Sequence, residues 1–371
     1  MQYPKLTILP HRTSPLCFLA IGLLSLVLMP TVSAGDLERH YEIDGEELKV
    51  TNLIGEISVQ SSTGTNFEVD IIISGDDADG DLIDVEVKEG RKSKLAIKFP
   101  IDEHRKYRYP GLHGRNSKVN ITDPNRRKRD NGGLWSALSR GKKIQVSNRR
   151  SGMELWVDVT IKVPQGKSLS LYHGAGDIFA ENVKGELILD SQHGVIGAAD
   201  IIGDLLADTG SGQVMVENVE GSVNIDTGSG SVEVRGCKGE EFRADTGSGS
   251  VKVREIDCEY LLIDTGSGSV RAIEVKCDGA RIDTGSGSVR LELDRMGTGN
   301  YKVDTGSGGI EFIMPPNPSA HISADTGSGS IDVDIDGVRL KRRSRDHVNF
   351  EVGDGDADVF LDAGSGSIHI M

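Results

Sequence analysis

From residue 208 onward one pentapeptide returns at nearly constant spacing, and a chain written this way must fold by stacking like upon like. Asp-Thr-Gly-Ser-Gly begins at Asp208, Asp226, Asp245, Asp264, Asp283, Asp304 and Asp325, and Asp362-Ala-Gly-Ser-Gly closes the series. The intervals are 18, 19, 19, 19, 21, 21 and 37 residues, the last close to two periods. Upstream, Asp190-Ser-Gln-His-Gly194 and Tyr172-His-Gly-Ala-Gly176 carry the 18-residue period in degenerate form. Roughly ten turns of a repeat therefore fill residues 155–371.

Within each unit the apolar residues alternate, as a strand with one buried face requires. Val232 and Val234, Val251 and Val253, and Val289 and Leu291 follow the Gly-rich turn. A corner position comes next at Val219, Cys237, Ile256 and Val275, and a second strand then carries Phe242 and Ala244, Leu261 and Ile263, or Ala280 and Ile282. Alternation turns Ile282 and Thr284 inward and Asp283 outward. Two short strands and two corners per unit predict an all-β chain, a parallel β-solenoid of roughly ten 18–21-residue rungs with an irregular β N-terminal cap. At about 4.8 Å per rung the rod is about 45–50 Å long.

This architecture accounts for an odd composition of 47 Gly and only 5% aromatic residues. Stacked rungs share a thin core that Val, Ile and Thr can fill. Gly210, Gly212 and their equivalents are expected at corners of positive φ, and the inward threonines form a ladder that bonds corner backbone. The stacked aspartates repel one another, and each carboxylate is expected to accept a turn N–H. Asp-Thr-Gly-Ser also resembles the catalytic loop of pepsin-like aspartic proteases, but that dyad needs two facing copies from separate lobes, not a row. Calcium-binding toxin repeats use a nine-residue period absent here, so Ca²⁺ binding by the ladder is incidental, and no cofactor or metal site is expected.

Four segments follow. Residues 1–34 read as a secretory signal, with Lys5 and Arg12 before an apolar stretch from Leu16 to Met29 and Val32-Ser-Ala34 before the cut. Fourteen apolar residues are too few to span a bilayer. Residues 35–100 hold strand-like runs such as Phe67, Val69 and Ile71, a β cap or first irregular rungs. Residues 101–152 form a basic insert, expected to be a flexible loop, and residues 153–371 are the solenoid. Between residues 101 and 150 there are 14 Lys and Arg against 4 Asp and Glu, centred on Arg126, Arg127, Lys128 and Arg129. The whole chain carries -15, which argues against a nucleic-acid partner. The insert suits an anionic surface such as lipid headgroups in peripheral membrane contact, acidic polysaccharide, or the protein's own acidic rod. A second basic run, Arg339 to Arg345, lies in the 37-residue interval and is expected to loop out of the rod.

Cys258 and Cys277 lie 19 residues apart at equivalent positions of adjacent rungs, which makes them the disulfide candidate in an oxidising compartment. Cys237 takes a buried corner position. No CxxC or His pair accompanies these thiols.

The run from Val157 to Pro164, then Leu171-Tyr-His-Gly-Ala-Gly176-Asp177-Ile178, the repeated Thr-Gly-Ser-Gly-Ser-Val units, the closing Gly364-Ser-Gly-Ser-Ile368 and the early Thr51-Asn-Leu-Ile-Gly55-Glu56-Ile57 resemble the bacterial putative-adhesin family of β-strand-repeat domains of unknown function. The likeness covers nearly all of residues 41–371 apart from the basic insert. It implies an extracytoplasmic β-solenoid and offers no catalytic set to carry over. Parallel β-helices also host polysaccharide lyases, but the outward residues Glu233, Lys252, Arg271, Arg290, Glu311 and Asp332 make a mixed solvated face without aromatic platforms. The reading is a non-enzymatic exported cell-envelope protein, an adhesin or scaffold at the cell surface, outside the cell or in the periplasm. Its partners would be cell-surface or envelope components, protein or anionic polysaccharide. The alternative is a periplasmic signalling or stress-response accessory that binds a membrane or protein partner through the insert.

Overall fold

A computed structural model describes residues 37–114, 117–126, 143–149, 151–335 and 339–371. The signal segment read at residues 1–34 and the basic centre Arg127, Lys128 and Arg129 lie outside the described residues, as does the Arg126 side chain.

Alternating side chains build two facing sheets from one repeat. In the strand Val251–Thr265 the side chains of Val251, Val253, Leu261 and Ile263 are buried, while Lys252 and Leu262 between them point away from the core. Each rung crosses the first sheet, turns a corner, crosses the second sheet, and turns the Gly-rich corner into the next rung. The second sheet stacks Glu47–Ile54, Ser168–Ala175, Leu187–His193, Leu205–Thr209 and Val223–Thr227 in parallel register. It continues through the second halves of Val232–Thr246 and Val251–Thr265 to Gly279–Thr284, Asn300–Thr305, Ala357–Ala363 and Ala320–Thr326. The first sheet runs alongside, from Ile57–Ser62 and Ile178–Glu181 to Ile310–Ile313, Ile368–Ile370 and Ile331–Val333. Hydrogen bonds run along the rod and hold each inner rung to both of its neighbours, so a thin apolar core suffices. The parallel β-solenoid expected from the repeat is the fold. The first level of the stack comes from the N-terminal segment itself, at Glu47–Ile54 and Ile57–Ser62.

The 37-residue interval does not hold two successive turns of the rod. After Asp325 the chain completes the outermost rung, and its last strands, Ala357–Ala363 and Ile368–Ile370, return to lie between that rung and the one below. Residues Arg339–Arg343, expected to loop out, instead form a strand antiparallel to His347–Val352, which pairs with Ala320–Thr326. The edge strand of this cap reads Arg-Leu-Lys-Arg-Arg. At the other end, Leu37–Ile43 and Phe67–Ser74 close the first sheet, and Asp84–Lys88 closes the second over Lys92–Lys98, each through antiparallel pairing.

The insert departs from a flexible loop. Its described parts form a three-stranded sheet from Lys106–Arg108, Lys143–Ser147 and Lys118–Thr122. Tyr107, Ile121, Ile144 and Val146 are fully buried in it, with Tyr107 edge-on to Phe99 at 5.9 Å. The polar and basic composition concealed an alternation, Val119 with Ile121 and Ile144 with Val146, too short to stand out.

Candidate functional site

The Gly-rich corner gathers most of the singled-out residues into one feature. Asp190, Asp208, Asp226, Asp245, Asp264, Asp283, Asp304, Asp362 and Asp325 pair in register from rung to rung, an unbroken row of nine carboxylates. Two residues earlier on the same outward face, Arg243, Leu262, Arg281, Lys302 and Phe360 form a parallel row. Arg243 reaches Asp245 at 3.7 Å and Lys302 reaches Asp304 at 3.9 Å. At the far end Asp325 meets His347 Nδ1 at 2.6 Å. The row repeats at about 4.8 Å.

Beneath it, each buried threonine fastens two rungs. Thr265 Oγ1 donates to the Gly249 carbonyl at 2.9 Å and accepts the Gly268 N–H at 3.0 Å. Thr246, Thr284 and Thr305 repeat both bonds. The turn amide expected to bond aspartate thus belongs to the threonine hydroxyl, which sits on the inner face beside it, whereas the carboxylate points outward. The second glycine of the motif is also required for a reason other than positive φ. A Cβ on Gly230 would lie 1.5 Å from the Gly212 carbonyl oxygen, and one on Gly249 would lie 1.8 Å from that of Gly230. Backbone stacks on backbone there, and only hydrogen fits.

The glycines of the Asp-Thr-Gly-Ser-Gly turns lack positive φ, whereas Gly176 and Gly194 of the degenerate rungs adopt 131 and 148°. A separate positive-φ row lies at the other corner, where Asn182, Asp200, Asn218, Glu255 and Glu274 adopt φ between 54 and 58° and Gly236 adopts 71°. Four of these are ordinary Asn, Asp or Gly occupants of that conformation. Glu255 and Glu274 are held there by ion pairs with Arg235 and Arg254 of the rung before.

The insert docks where the motif degenerates. Gln192 receives the N–H of Thr122 at 2.8 Å and donates back to its carbonyl at 2.7 Å. Thr51 donates to Asn125 at 2.5 Å, His113 Nε2 lies 2.6 Å from Asp177, and Arg108 pairs with Glu154. The threonine position there holds Asn52, His173 and Ser191. Two of these rebuild the fastening with other donors, Asn52 Nδ2 to the Val157 carbonyl at 2.7 Å and His173 Nε2 to that of Gly55 at 2.9 Å. Burial lowers the His173 pKa to about 4, against carbonyl bonds to Gly55 and Asn52 that act to raise it, so the ring is neutral.

Cys258 and Cys277 fall on neighbouring rungs, flanking the Asp257–Lys276 pair, but both are free and buried, as is Cys237. In-register side chains of parallel neighbours point the same way at about the 4.8 Å strand spacing, beyond the about 3.5–4.5 Å between Cβ atoms that a bridge takes. Burial above all, and the thiols of Cys277 and Cys237 beside it, push Cys258 up to about 12, and burial does the same to Cys277 and Cys237. These thiols are core residues.

A family model described as Toastrack DUF4097 matches residues 77–371. The chain belongs to the Toastrack family. No curated protein matches it. Similar solved structures are a putative cell adhesion protein from Clostridium sporogenes, 11% identical, covering 90% of this chain and 98% of that one at a TM-score of 0.19. A putative lipid binding protein from Parabacteroides distasonis is 13% identical over 91% and 98%, with a TM-score of 0.40. A putative adhesin from Bacteroides fragilis is 13% identical over 91% and 98%, with a TM-score of 0.35. Among the described residues of the Toastrack chain no helix is long and apolar enough to cross a membrane.

The carboxylate row gives this Toastrack rod a characteristic pH response. Burial first, and then the neighbouring carboxylates of the row, raise the pKa values of Asp226, Asp264 and Asp304, with Arg243, Arg281 and Lys302 pulling the other way. A raised folded pKa means that the native state holds more protons than the unfolded chain over the interval between the two values, so stability falls as pH rises through it. Carboxylates lowered by lysine or arginine, Glu68 and Glu274 among them, contribute with the opposite sign. Comparison with a variant isolates the row. Replacing Asp226, Asp264 and Asp304 together by Asn should leave urea stability nearly unchanged at about pH 3 and raise it at about pH 7, by about 0.2–1 kcal/mol per site. A stability difference that does not vary with pH would show that the row carries no net repulsion.

Proposed function

We propose that this Toastrack protein is a non-enzymatic, exported cell-envelope protein that acts as an adhesin or scaffold through its repetitive surface. The observation that supports the reading is the in-register row of nine aspartates, of which all but the buried Asp190 reach solvent on an outward sheet face. A surface that offers the same group at every rung makes many equivalent weak contacts, which sum as avidity against a partner that is itself repetitive. Catalysis needs different groups converging on one reacting atom, and the row repeats one group along a line. Its carboxylates suit cationic groups of an envelope protein, and the basic insert at the N-terminal end of the same rod suits anionic polysaccharide or headgroups.

Protease shaving of intact cells that express the full chain, with a lysed control and a periplasmic marker, tests the reading. Trypsin should cut the chain in the basic insert while the cells are intact and the marker is spared. Protection until lysis would overturn surface adhesion and favour a periplasmic accessory that meets its partner through the insert.

A further inference from the structure

The corner opposite the aspartate row carries a groove that the repeat motif does not announce. Three cavities succeed one another along it, of about 730, 740 and 420 Å³. The first two share Ser61 and Lys184, and the second and third share Glu220, Lys238 and Asp257. The floor of the middle one follows the left-handed residues Asn182, Asp200, Asn218, Gly236 and Glu255, one per rung. Five rung steps from Ser61 to Glu255 span about 24 Å. The groove is therefore elongated and runs parallel to the rod axis.

We propose that this groove binds a linear polysaccharide bearing carboxylate groups, with an acidic sugar seated against Lys167 and Lys184. The inference deepens the adhesion reading by naming a ligand class and a place for it. Three features select this occupant. The backbone groups of the corner are spent between rungs, as in Asn182 N–H to Ala199 carbonyl at 3.0 Å and Gly221 N–H to Lys238 carbonyl at 2.9 Å. An extended peptide lying along the groove would find no strand edge to pair with, and its own amides would go unmatched. A glycan instead presents hydroxyls that both donate and accept, matching carboxamides, carboxylates and ammonium groups supplied rung by rung. Ile202, 47% exposed in mid-groove, adds apolar surface for the C–H face of a sugar ring.

The anionic end is set by Lys167. Its side chain is only 15% exposed, packed over the Phe67 ring at 5.4 Å, and the carboxylate of Asp44, itself 82% exposed, stands 3.9 Å away. A lysine with a mostly buried side chain and so distant and solvated a counter-ion favours a second carboxylate in the cavity. Lys184, on the shared wall, provides a second positive charge, and the hydroxyls of Ser61, Ser62, Thr63 and Thr65 surround the space.

Asp200, Glu220, Glu255 and Asp257 line the groove beyond the lysines, so calorimetric titration of the full chain at physiological ionic strength with an oligosaccharide of about six sugars that carries one uronic acid at its end tests the inference, with a neutral glucan of equal length for comparison. Saturable binding of the acidic oligomer, weakened at least about tenfold by Lys184→Glu and by Asn218→Gly but unchanged by Arg281→Glu on the sheet face, is the expected result. Lys184 is exposed, and glycine accepts the left-handed backbone of the exposed Asn218, so both variants should melt with the parent. Equal binding by the groove variants, equal loss in Arg281→Glu, or equal affinity for the neutral glucan would each overturn it. The groove and the adhesion reading fail separately. Oligomer binding by a protein that shaving finds protected leaves the groove and removes surface adhesion, whereas a surface-exposed protein indifferent to Lys184→Glu keeps adhesion and loses the groove.

Discussion

Gly249→Ala should destabilise the rod by about 3 kcal/mol or more, the upper range for forcing atoms into a filled interior. The new Cβ would stand 1.8 Å from the Gly230 carbonyl oxygen and 2.9 Å from Thr246 Oγ1. Both neighbours are fixed, the carbonyl by its bond from Thr246 and the hydroxyl by its place between rungs. Relief requires the two rungs to part, and because each rung of a solenoid contacts only its neighbours, parting one pair uncouples the rod on either side. Urea unfolding of Gly249→Ala should therefore show a lowered midpoint, with exchange of the amides at position 249 and at Gly268 accelerated beyond that of the terminal rungs. Gly90→Ala is the matched control, since nothing lies within 4 Å of its Cβ position, and it should fall within about 0.5 kcal/mol of the parent. A Gly249→Ala midpoint as close to the parent as that of the control would refute the close-approach account of the motif.

That account separates what the sequence disclosed from what it could not. The period, the alternation and the inward threonines were legible because each is a one-dimensional pattern, and the second sheet follows them residue for residue from Leu187 to Asp304, while the first slips register after Ala272. The demand for glycine was legible too, but not its cause: a left-handed corner and a backbone-to-backbone approach both exclude a side chain, and only the stacking of Gly249 over Gly230 decides between them. Order along the rod was beyond the sequence. A repeat interval counts turns without saying where a turn lies, so the strand from Ala357 to Ala363 could not be placed between Asn300–Thr305 and Ala320–Thr326 from its spacing alone.

The degenerate rungs teach the same lesson from the other side. Asn52 and His173 lack any likeness to threonine in a pattern search, yet the structure sets them in its column and gives each a backbone carbonyl, that of Val157 to Asn52 and that of Gly55 to His173. The 18-residue offset from Thr209 through Ser191 could have found His173, but Asn52 lies 121 residues before His173, on the far side of the insert, and no period reaches it. Larger side chains are admitted where the insert covers the corner, and Gln192 uses that contact to bond Thr122. Motif decay here marks an interface within the chain. The same reasoning explains why the groove at the opposite corner escaped notice: its lining, Asn, Asp, Gly and Glu in turn, shares a backbone conformation and not a residue type.

Thr265→Val should cost about 2–3 kcal/mol although it preserves shape and burial. The hydroxyl of Thr265 is fully buried and serves both rungs at once, giving its proton to the Gly249 carbonyl at 2.9 Å and taking the Gly268 N–H at 3.0 Å. Valine leaves a buried donor and a buried acceptor unmatched, each worth about 1–3 kcal/mol when stranded, and partial entry of water at the corner offsets some of that. Thr265→Ser keeps the hydroxyl and sheds one methyl, a loss of about 1 kcal/mol. The two variants thus invert the usual ranking for a core site, where the apolar isostere is the milder change. Urea midpoints measured side by side decide the matter, and a Thr265→Val protein as stable as Thr265→Ser would mean that the threonine column fills space and does not fasten the rungs.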